Sequence, residues 1–280
     1  MKPIEQNSAP RRHFLRAVFA AFGAAALSAC DRLSNSKAFV DVLQSTQYLN
    51  RGAHKLFAGR KAMAQEFIEA DIAPSFRSNG TLMPVGKLYE GMVNSNFANW
   101  KLEVGGLVET PLALSLADLR AMPLRTQITR HDCVEGWSAI AKWTGVPLHH
   151  ILDQVKPLPN AQYVVIRCAD AMDDDEDEAS PDENKEKTDA VVAAKPDSTY
   201  YESMDMDDAY HIQTILAYDL NGKPLPVSNG APLRLRIERQ LGYKHAKYLM
   251  KIELVESFDG IRGGKGGYWE DNGYEWYGGI

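Results

Sequence analysis

Apolar positions along this chain fall mostly into short runs and alternations, joined by a few stretches with helical spacing. Arg125 to Thr129, Tyr163 to Asp170, Thr214 to Asp219 and Lys251 to Val255 predict strands, and Leu102 with Val104 predicts one that ends in the Gly105-Gly106 turn. Leu233, Leu235 and Ile237 alternate with Arg234 and Arg236, the pattern of a half-buried strand whose other face carries two cations, with Arg236 simply solvating it. Asn221-Gly222 marks a hairpin. Helical spacing runs through Asp41 to Asn50 (Val42, Leu43) and Lys61 to Ile72 (Met63, Phe67, Ile68), and the turn-rich Ala73 to Gly80 then extends over the body. Ser115 caps a helix carrying Leu116, Leu119 and Met122 that stops at Pro123. Trp137 to Trp143 predicts the start of a helix or an irregular packed turn, and Pro147 to Leu152 a short helix. Adjacent His149 and His150 cannot face one direction on that helix, so they are surface or packing residues.

Composition limits the classes open to the chain. Its 280 residues, 45% hydrophobic and 24% charged, have room for a full core. A formal charge of -6 argues against nucleic acid as a main partner, and the acidic run at Asp173 to Glu178 inflates it, so the folded body is closer to neutral. From 173 to 198 the chain is acidic, then mixed-charge and low in complexity, which predicts a disordered insert able to meet a basic redox partner. It lacks the glycine and spaced acids of a calcium loop. The tail at 258–280 is rich in glycine and carries Tyr268, Trp269, Tyr274, Trp276 and Tyr277; it wraps the body, or else shapes a substrate mouth.

The first 30 residues read as an address. Arg11-Arg12-His13-Phe14-Leu15-Arg16 resembles the twin-arginine export signal, and the Ala-rich stretch from Ala17 to Ala29 is too short and too weakly apolar to span a membrane. Leu27-Ser28-Ala29-Cys30 resembles a lipobox. The expectation is a periplasmic protein, either anchored to the inner membrane through lipidated Cys30, which Asp31 favours, or soluble after cleavage nearby. Residues 31–90 then form a connecting arm.

Three cysteines cannot make a disulfide framework, and the absence of Cys-x-x-Cys or His-x-x-x-His spacing argues against a metal site built from side chains alone. Cys133 stands out by its setting. It follows a predicted strand and lies behind Arg130 and His131, cations that would stabilise its thiolate, the form that acts as nucleophile or metal ligand. A lone cysteine in a chain of this length is ordinarily a small buried hydrophobe.

Arg130-His131-Asp132-Cys133-Val134-Glu135-Gly136-Trp137-Ser138, followed by Trp143-Thr144-Gly145-Val146-Pro147-Leu148, resembles the cysteine segment of the sulfite-oxidase-like molybdopterin oxidoreductases. Upstream, Trp100 to Val108 and Leu114 to Leu119 resemble the entry strand and helix of that family. Downstream, Asn229-Gly230-Ala231-Pro232-Leu233-Arg234 and Leu241 to Lys247 resemble its cofactor-binding half. The resemblance implies one α+β domain at 91–257, with mixed β-sheets and peripheral helices. It also implies a molybdenum-molybdopterin cofactor that moves an oxygen atom to or from sulfite, a sulfoxide or a similar small substrate, with two electrons exchanged. Cys133 would supply the soft thiolate ligand. Asn229, Arg234, His245, Ala246 and Lys247 fall on pterin or phosphate contacts, as does Cys168, where relatives often carry a small hydroxyl residue. A Cys133–Cys168 disulfide is the rival reading in an oxidising compartment.

Asn94 and Phe97 match a segment that lies near the pterin in relatives, or else form a turn with one core aromatic. Arg130 and His131 would raise the local potential and steer an oxyanion. Glu135 would relay a proton, or cap the next helix. Without a haem-attachment motif, electrons would pass through a membrane cytochrome b or a soluble cytochrome c. The run of anion-binding arginines usual in true sulfite oxidases is not evident around Cys133, which Asp132 directly precedes, so the substrate stays open. The alternative is a non-catalytic periplasmic binding or electron-transfer module that keeps the fold without the metal.

Overall fold

The computed structural model describes residues 36–57, 59, 61–172 and 199–280. The export signal, Cys30 and the acidic insert lie outside them. The chain divides into two units, Met1–Ala53 and His54–Ile280. In the first, the described residues form most of helix α1 (Lys37–Phe57), which covers the helical spacing of Asp41 to Asn50.

The second unit contains strands β1 (Lys101–Gly106), β2 (Leu112–Ser115), β3 (Arg125–Asp132), β4 (Ser138–Pro147), β5 (Tyr163–Ala171), β6 (Thr199–Asp205), β7 (Thr214–Leu220), β8 (Lys223–Pro224), β9 (Arg234–Ile237) and β10 (Leu249–Val255). They make two five-stranded sheets: one in the order β2-β1-β10-β5-β6, the other running β3-β4-β7-β8 with β9 also on β7. Only the β1–β10 pair is parallel; every other pairing among these strands is antiparallel. This is the mixed α+β architecture expected.

Side-chain alternation explains how the sheets stack. On β1, Leu102 and Val104 are buried while Lys101 and Glu103 are exposed. On β7, Leu216 and Tyr218 join the main core, with Val146 from β4, Ile166 from β5 and Ile252 from β10. Ile215 and Ala217, one residue out of phase, join Trp143 and Phe76 in a smaller cluster on the other face. A strand covered on both faces reads as the continuous apolar run seen in the sequence. Helix α2 (Lys87–Asn94) precedes β1. Helix α3 (Leu116–Ala121) is capped as predicted: Ser115 Oγ accepts from the Asp118 N–H, and the Asp118 carboxylate accepts from the Ser115 N–H. Helix α4 (Leu148–Val155) buries Leu148, Ile151, Leu152 and Val155, one stripe at helical spacing. No described helix is long and apolar enough to cross a membrane.

Three expectations are corrected. Lys61 to Ile72 is not a helix: Glu66 bridges Thr129, and the Phe67 N–H donates to the Ile128 carbonyl at 2.8 Å, so the segment covers the edge of β3 before one 3-10 turn at Glu69–Asp71. Met63 and Ile68 stay exposed, so no buried stripe pays for a helix there. Trp137 to Trp143 is mostly strand, because β4 pairs with β3 from Asp132↔Ser138 to Arg125↔Gly145 and buries Ala141 and Trp143 on alternate positions. The arginines of β9 do not solvate an outer face: Arg234 and Arg236 are both fully buried.

Candidate active site

The β3–β4 hairpin presents Cys133. Strand alternation puts Arg130 and Asp132 on one face of β3 and His131 on the other, and Cys133 follows on the His131 side. The loop closes on itself, with the Cys133 N–H donating to the Trp137 carbonyl at 2.9 Å and the Gly136 N–H to the Cys133 carbonyl at 3.0 Å. Gly136 takes φ +84°, a conformation that a side chain would strain. The thiol is buried and opens on a cavity of about 180 Å³. Burial pushes the Cys133 thiol above its ordinary value; a hydrogen bond from the Glu135 backbone opposes this, the Glu135 carboxylate adds to it, and Arg77 and Arg234 pull down more weakly. The expected thiolate, stabilised by Arg130 and His131, is therefore not what the structure has. Arg130 is exposed and donates to Asp132 at 2.9 Å, and His131 is held neutral. A thiol raised in this way would hold a soft metal only with loss of its proton.

Behind the hairpin lies a buried cationic group. Arg236 pairs through two hydrogen bonds with Glu238, at 2.9 and 2.6 Å, and donates to His131 Nδ1 at 3.0 Å. That bond leaves the His131 proton on Nε2, which has no partner among the described residues. Burial first, then Arg236 and Arg234, keep the ring neutral well below its ordinary pKa. Arg234 is different. Among the described residues it makes one long hydrogen bond, from Nη1 to the Asn229 carbonyl at 3.3 Å, while Nε and Nη2 are unpartnered there. Burial pulls its guanidinium down to about 9, with Arg236 adding to the effect. A buried cation with two unused donors costs several kcal/mol unless an anion reaches it. Beside it, Asn229 Nδ2 is a third unused donor.

The cavity wall has the opposite character. Its polar lining includes Asn79, Asp170 and His245, and each carries a buried acceptor with no partner among the described residues: Asn79 Oδ1, Asp170 Oδ1 and His245 Nδ1. His245 donates Nε2–H to the Gln240 carbonyl at 3.0 Å, which makes Nδ1 the acceptor. Lys247 also lines the cavity, but its ammonium donates to the carbonyls of Asn79 at 2.6 Å, Ser228 at 3.3 Å and Thr81. It straps the segment 79–81 down. Burial draws this lysine down to about 7. The loop from Gly242 to Lys247 can lie this close to the hairpin because Gly242 has no side chain: a Cβ there would sit 2.6 Å from the His131 ring.

Of the residues singled out in the sequence, Cys133, Glu135, His245, Ala246 and Lys247 line the cavity, while His131, Asn229 and Arg234 are buried outside its lining. Cys168 is a buried free thiol in the main core, and Cys133 is free as well, so the two form no disulfide. Asn94 is exposed at the end of α2, and Phe97 packs edge-on against Tyr89; neither lines the cavity. Arg130 faces away from it. Glu135 caps no helix, since a strand follows, and accepts instead from the Trp137 indole at 2.9 Å. Sequence reasoning missed Asn79, Asp170 and Tyr200. It offered the tail only as the lesser alternative for the mouth, yet Trp269 and Tyr274 stack at 5.2 Å on the wall of the same cavity. Helix α5 (Tyr268–Asp271) carries Trp269 there.

Residues 90–259 match the oxidoreductase molybdopterin binding domain family. The putative protein-methionine-sulfoxide reductase subunit YedZ1 of Azospira oryzae is 40% identical over 65% of this chain and 56% of that protein. The protein-methionine-sulfoxide reductase catalytic subunit MsrP of Campylobacter jejuni is 35% identical, over 58% of this chain and 51% of its own length. That of Xanthomonas axonopodis pv. citri is 37% identical, over 56% and 45%. The chain thus spans about half the length of the curated relatives it matches.

Proposed function

Given that this chain belongs to the oxidoreductase molybdopterin binding domain family, we propose that it is a molybdenum-dependent reductase of methionine sulfoxide, acting on the oxidised side chain in peptides or proteins. The observation that carries the reading is the buried Arg234, with two donors unused among the described residues, behind a cavity into which Cys133 opens. A phosphorylated cofactor with a soft metal answers both features. The names of the relatives, all methionine-sulfoxide reductase subunits, supply the direction and the substrate class.

The residues fit the cofactor. Cys133 would hold the metal through Sγ, and binding would drive off the proton that burial otherwise keeps on the thiol. Arg234 and Asn229 would meet the anionic end with donors that have no other use. When bound, the cofactor supplies two-electron oxygen-atom transfer. Reducing a sulfoxide to a thioether consumes two electrons and two protons and releases water. Glu135 lines the cavity with one oxygen held by the Trp137 indole, leaving the other to take up and hand on a proton. Trp269, Tyr274 and Met172 give the same cavity an apolar wall suited to the methyl and methylene groups beside the sulfur.

Because the relatives are named as subunits, the electrons would arrive from a separate protein, a membrane cytochrome b or a soluble cytochrome c. Export through the twin-arginine signal to the periplasm, with Cys30 as a lipid anchor, belongs to the same proposal. The test is to purify the chain from a host that makes the cofactor, assay molybdenum and pterin, and follow reduction of an oxidised methionine peptide with a reduced dye. About one molybdenum per chain, lost together with activity in Cys133→Ala, is the expected result. A wild-type chain without metal, or a Cys133→Ala chain that keeps both metal and activity, would sink the reading.

A further inference from the structure

We propose that helix α1 lies on a membrane surface, with its apolar face set into an anionic lipid bilayer. The inference goes beyond the proposed Cys30 anchor and does not need it, since the helix makes the contact with its own side chains.

Helix α1 runs over 21 residues, Lys37–Phe57, which is about 30 Å at the ordinary rise per residue. Val42, Leu49 and Leu56 recur at every seventh position, two turns apart. Leu43, Ala53 and Phe57 fall beside them and complete one apolar stripe. An amphipathic helix ordinarily buries such a stripe against its own protein. Here Leu49 is 73% exposed, Leu56 77% and Phe57 85%, and Val42 and Leu43 are exposed as well. The last turn shows what is used instead. Lys55 donates to Asp205 at 2.9 Å and to Asp207 at 2.5 Å, and His54 Nδ1 lies 3.2 Å from the Tyr277 hydroxyl. The end of the helix is thus held through polar side chains, while Leu56 and Phe57 stay in solvent. A contiguous apolar surface left open in this way marks an interaction site.

Charge, length and position in the chain name the occupant. Between 31 and 61 six basic residues, Arg32, Lys37, Arg51, Lys55, Arg60 and Lys61, stand against two acids, Asp31 and Asp41, although the whole chain carries a formal charge of -6. A local excess of cations around an apolar stripe matches a bilayer that presents phosphates above its acyl chains. A second copy of this chain would cover the stripe but would bring the two cationic segments together. At 21 residues α1 is long enough to span a bilayer core, yet no described helix is apolar enough to cross one, so α1 lies on the surface and not through it. Six residues separate Cys30 from Lys37, so an acyl chain on Cys30 would hold the start of the helix within about 25 Å of the bilayer. One acyl chain binds only weakly, and the stripe supplies a second, independent hold.

The experiment uses the full chain with Cys30→Ser, which removes any acyl group, and vesicles of phosphatidylglycerol with phosphatidylethanolamine. Flotation compares it with a chain that also carries Leu49→Gln and Leu56→Gln. Both share residues 1–36, so a difference belongs to α1, and Gln keeps a helix propensity close to that of Leu. The double variant should bind at least about tenfold more weakly, and the parent should bind less well at high salt or to phosphatidylcholine alone. Leu49→Trp supplies the second measurement: its added emission should shift to the blue on vesicles and be quenched by brominated lipid. An unquenched Trp in a bound chain overturns the inference, because the vesicle is then held by the segment before α1. A parent chain that stays off vesicles and self-associates until the two Gln substitutions are made overturns it as well, by giving the stripe to a second copy. None of these readouts depends on the cofactor, so the functional reading stands or falls separately.

Discussion

Arg234 shows what a single side chain costs and what it is kept for. It is fully buried over the Phe76 and Trp143 rings, its neighbour Arg236 owns the nearby carboxylate of Glu238, and two of its donors have no hydrogen-bond partner among the described residues. A substitution such as Arg234→Met should therefore stabilise the cofactor-free chain by on the order of 1–2 kcal/mol in urea unfolding. The same variant should hold about tenfold less cofactor, since about 1.4 kcal/mol of anion contact is tenfold in affinity. A variant that is less stable and still fully loaded would make Arg234 a packing residue. Asp170 gives the corresponding test in pH. Its carboxyl is raised to about 7 in the folded chain, against about 4 when unfolded. Between those values the folded chain holds a proton that the unfolded chain has released, so stability falls as pH rises from about 4 to about 7. At about 1.4 kcal/mol per unit the loss amounts to a few kcal/mol at most. Urea midpoints of cofactor-free wild type should drop across that window relative to Asp170→Asn; parallel curves would mean the carboxyl is not shielded.

At the scale of elements, the tail supplies an aromatic wall of the cavity, which under the proposed function would be its substrate side. Tyr268 to Asp271 form one short helix, Tyr274 stacks back on Trp269, and Tyr243 meets Tyr274 edge-on at 5.4 Å. Trp269→Ala should raise KM for an oxidised methionine peptide about tenfold with kcat largely kept, the size of one lost aromatic contact. An unchanged KM would return the tail to wrapping. The strands that hold the site were readable because β7 is buried on both faces and β5 carries the buried Val164-Val165-Ile166 run, so both leave apolar stretches in the sequence. The error at Lys61 to Ile72 came from reading helical spacing where the apolar residues face solvent and the backbone serves the edge of β3. Arg234 and Arg236 misled for a related reason. Alternation fixes that two residues share a face, but not whether a further segment, here the one carrying Phe76, covers that face. Cys133, His245 and Lys247 were found by their place in a motif. Asp170 and Asn79 carry no such local signal, because what marks them is a missing partner, and that is visible only once the neighbours are in place.

The cavity draws on both sheets at once. Cys133 comes from the hairpin that opens the second sheet, Asp170 and Tyr200 from the paired strands at one side of the first, and the stretch 242–247 joins β9 of one to β10 of the other. A ligand that satisfies Arg234 together with the acceptors of the wall would therefore tie the two sheets through their most poorly satisfied groups. Binding only the folded chain, it adds about 4 kcal/mol at a thousandfold excess over Kd. For a body of this size each kcal/mol moves the melting temperature by roughly 2–4 °C, so the loaded protein should melt roughly 10 °C above the cofactor-free one. Hydrogen exchange should localise the difference. Protection should be gained at 79–81, 133–137 and 242–247, while the backbone of β1, β10 and β5 exchanges alike in both forms, since their bonds run within a sheet that needs no ligand. Equal melting temperatures, or protection gained evenly over all strands, would mean that the two sheets are already joined by their shared core and that the cofactor sits on a finished scaffold.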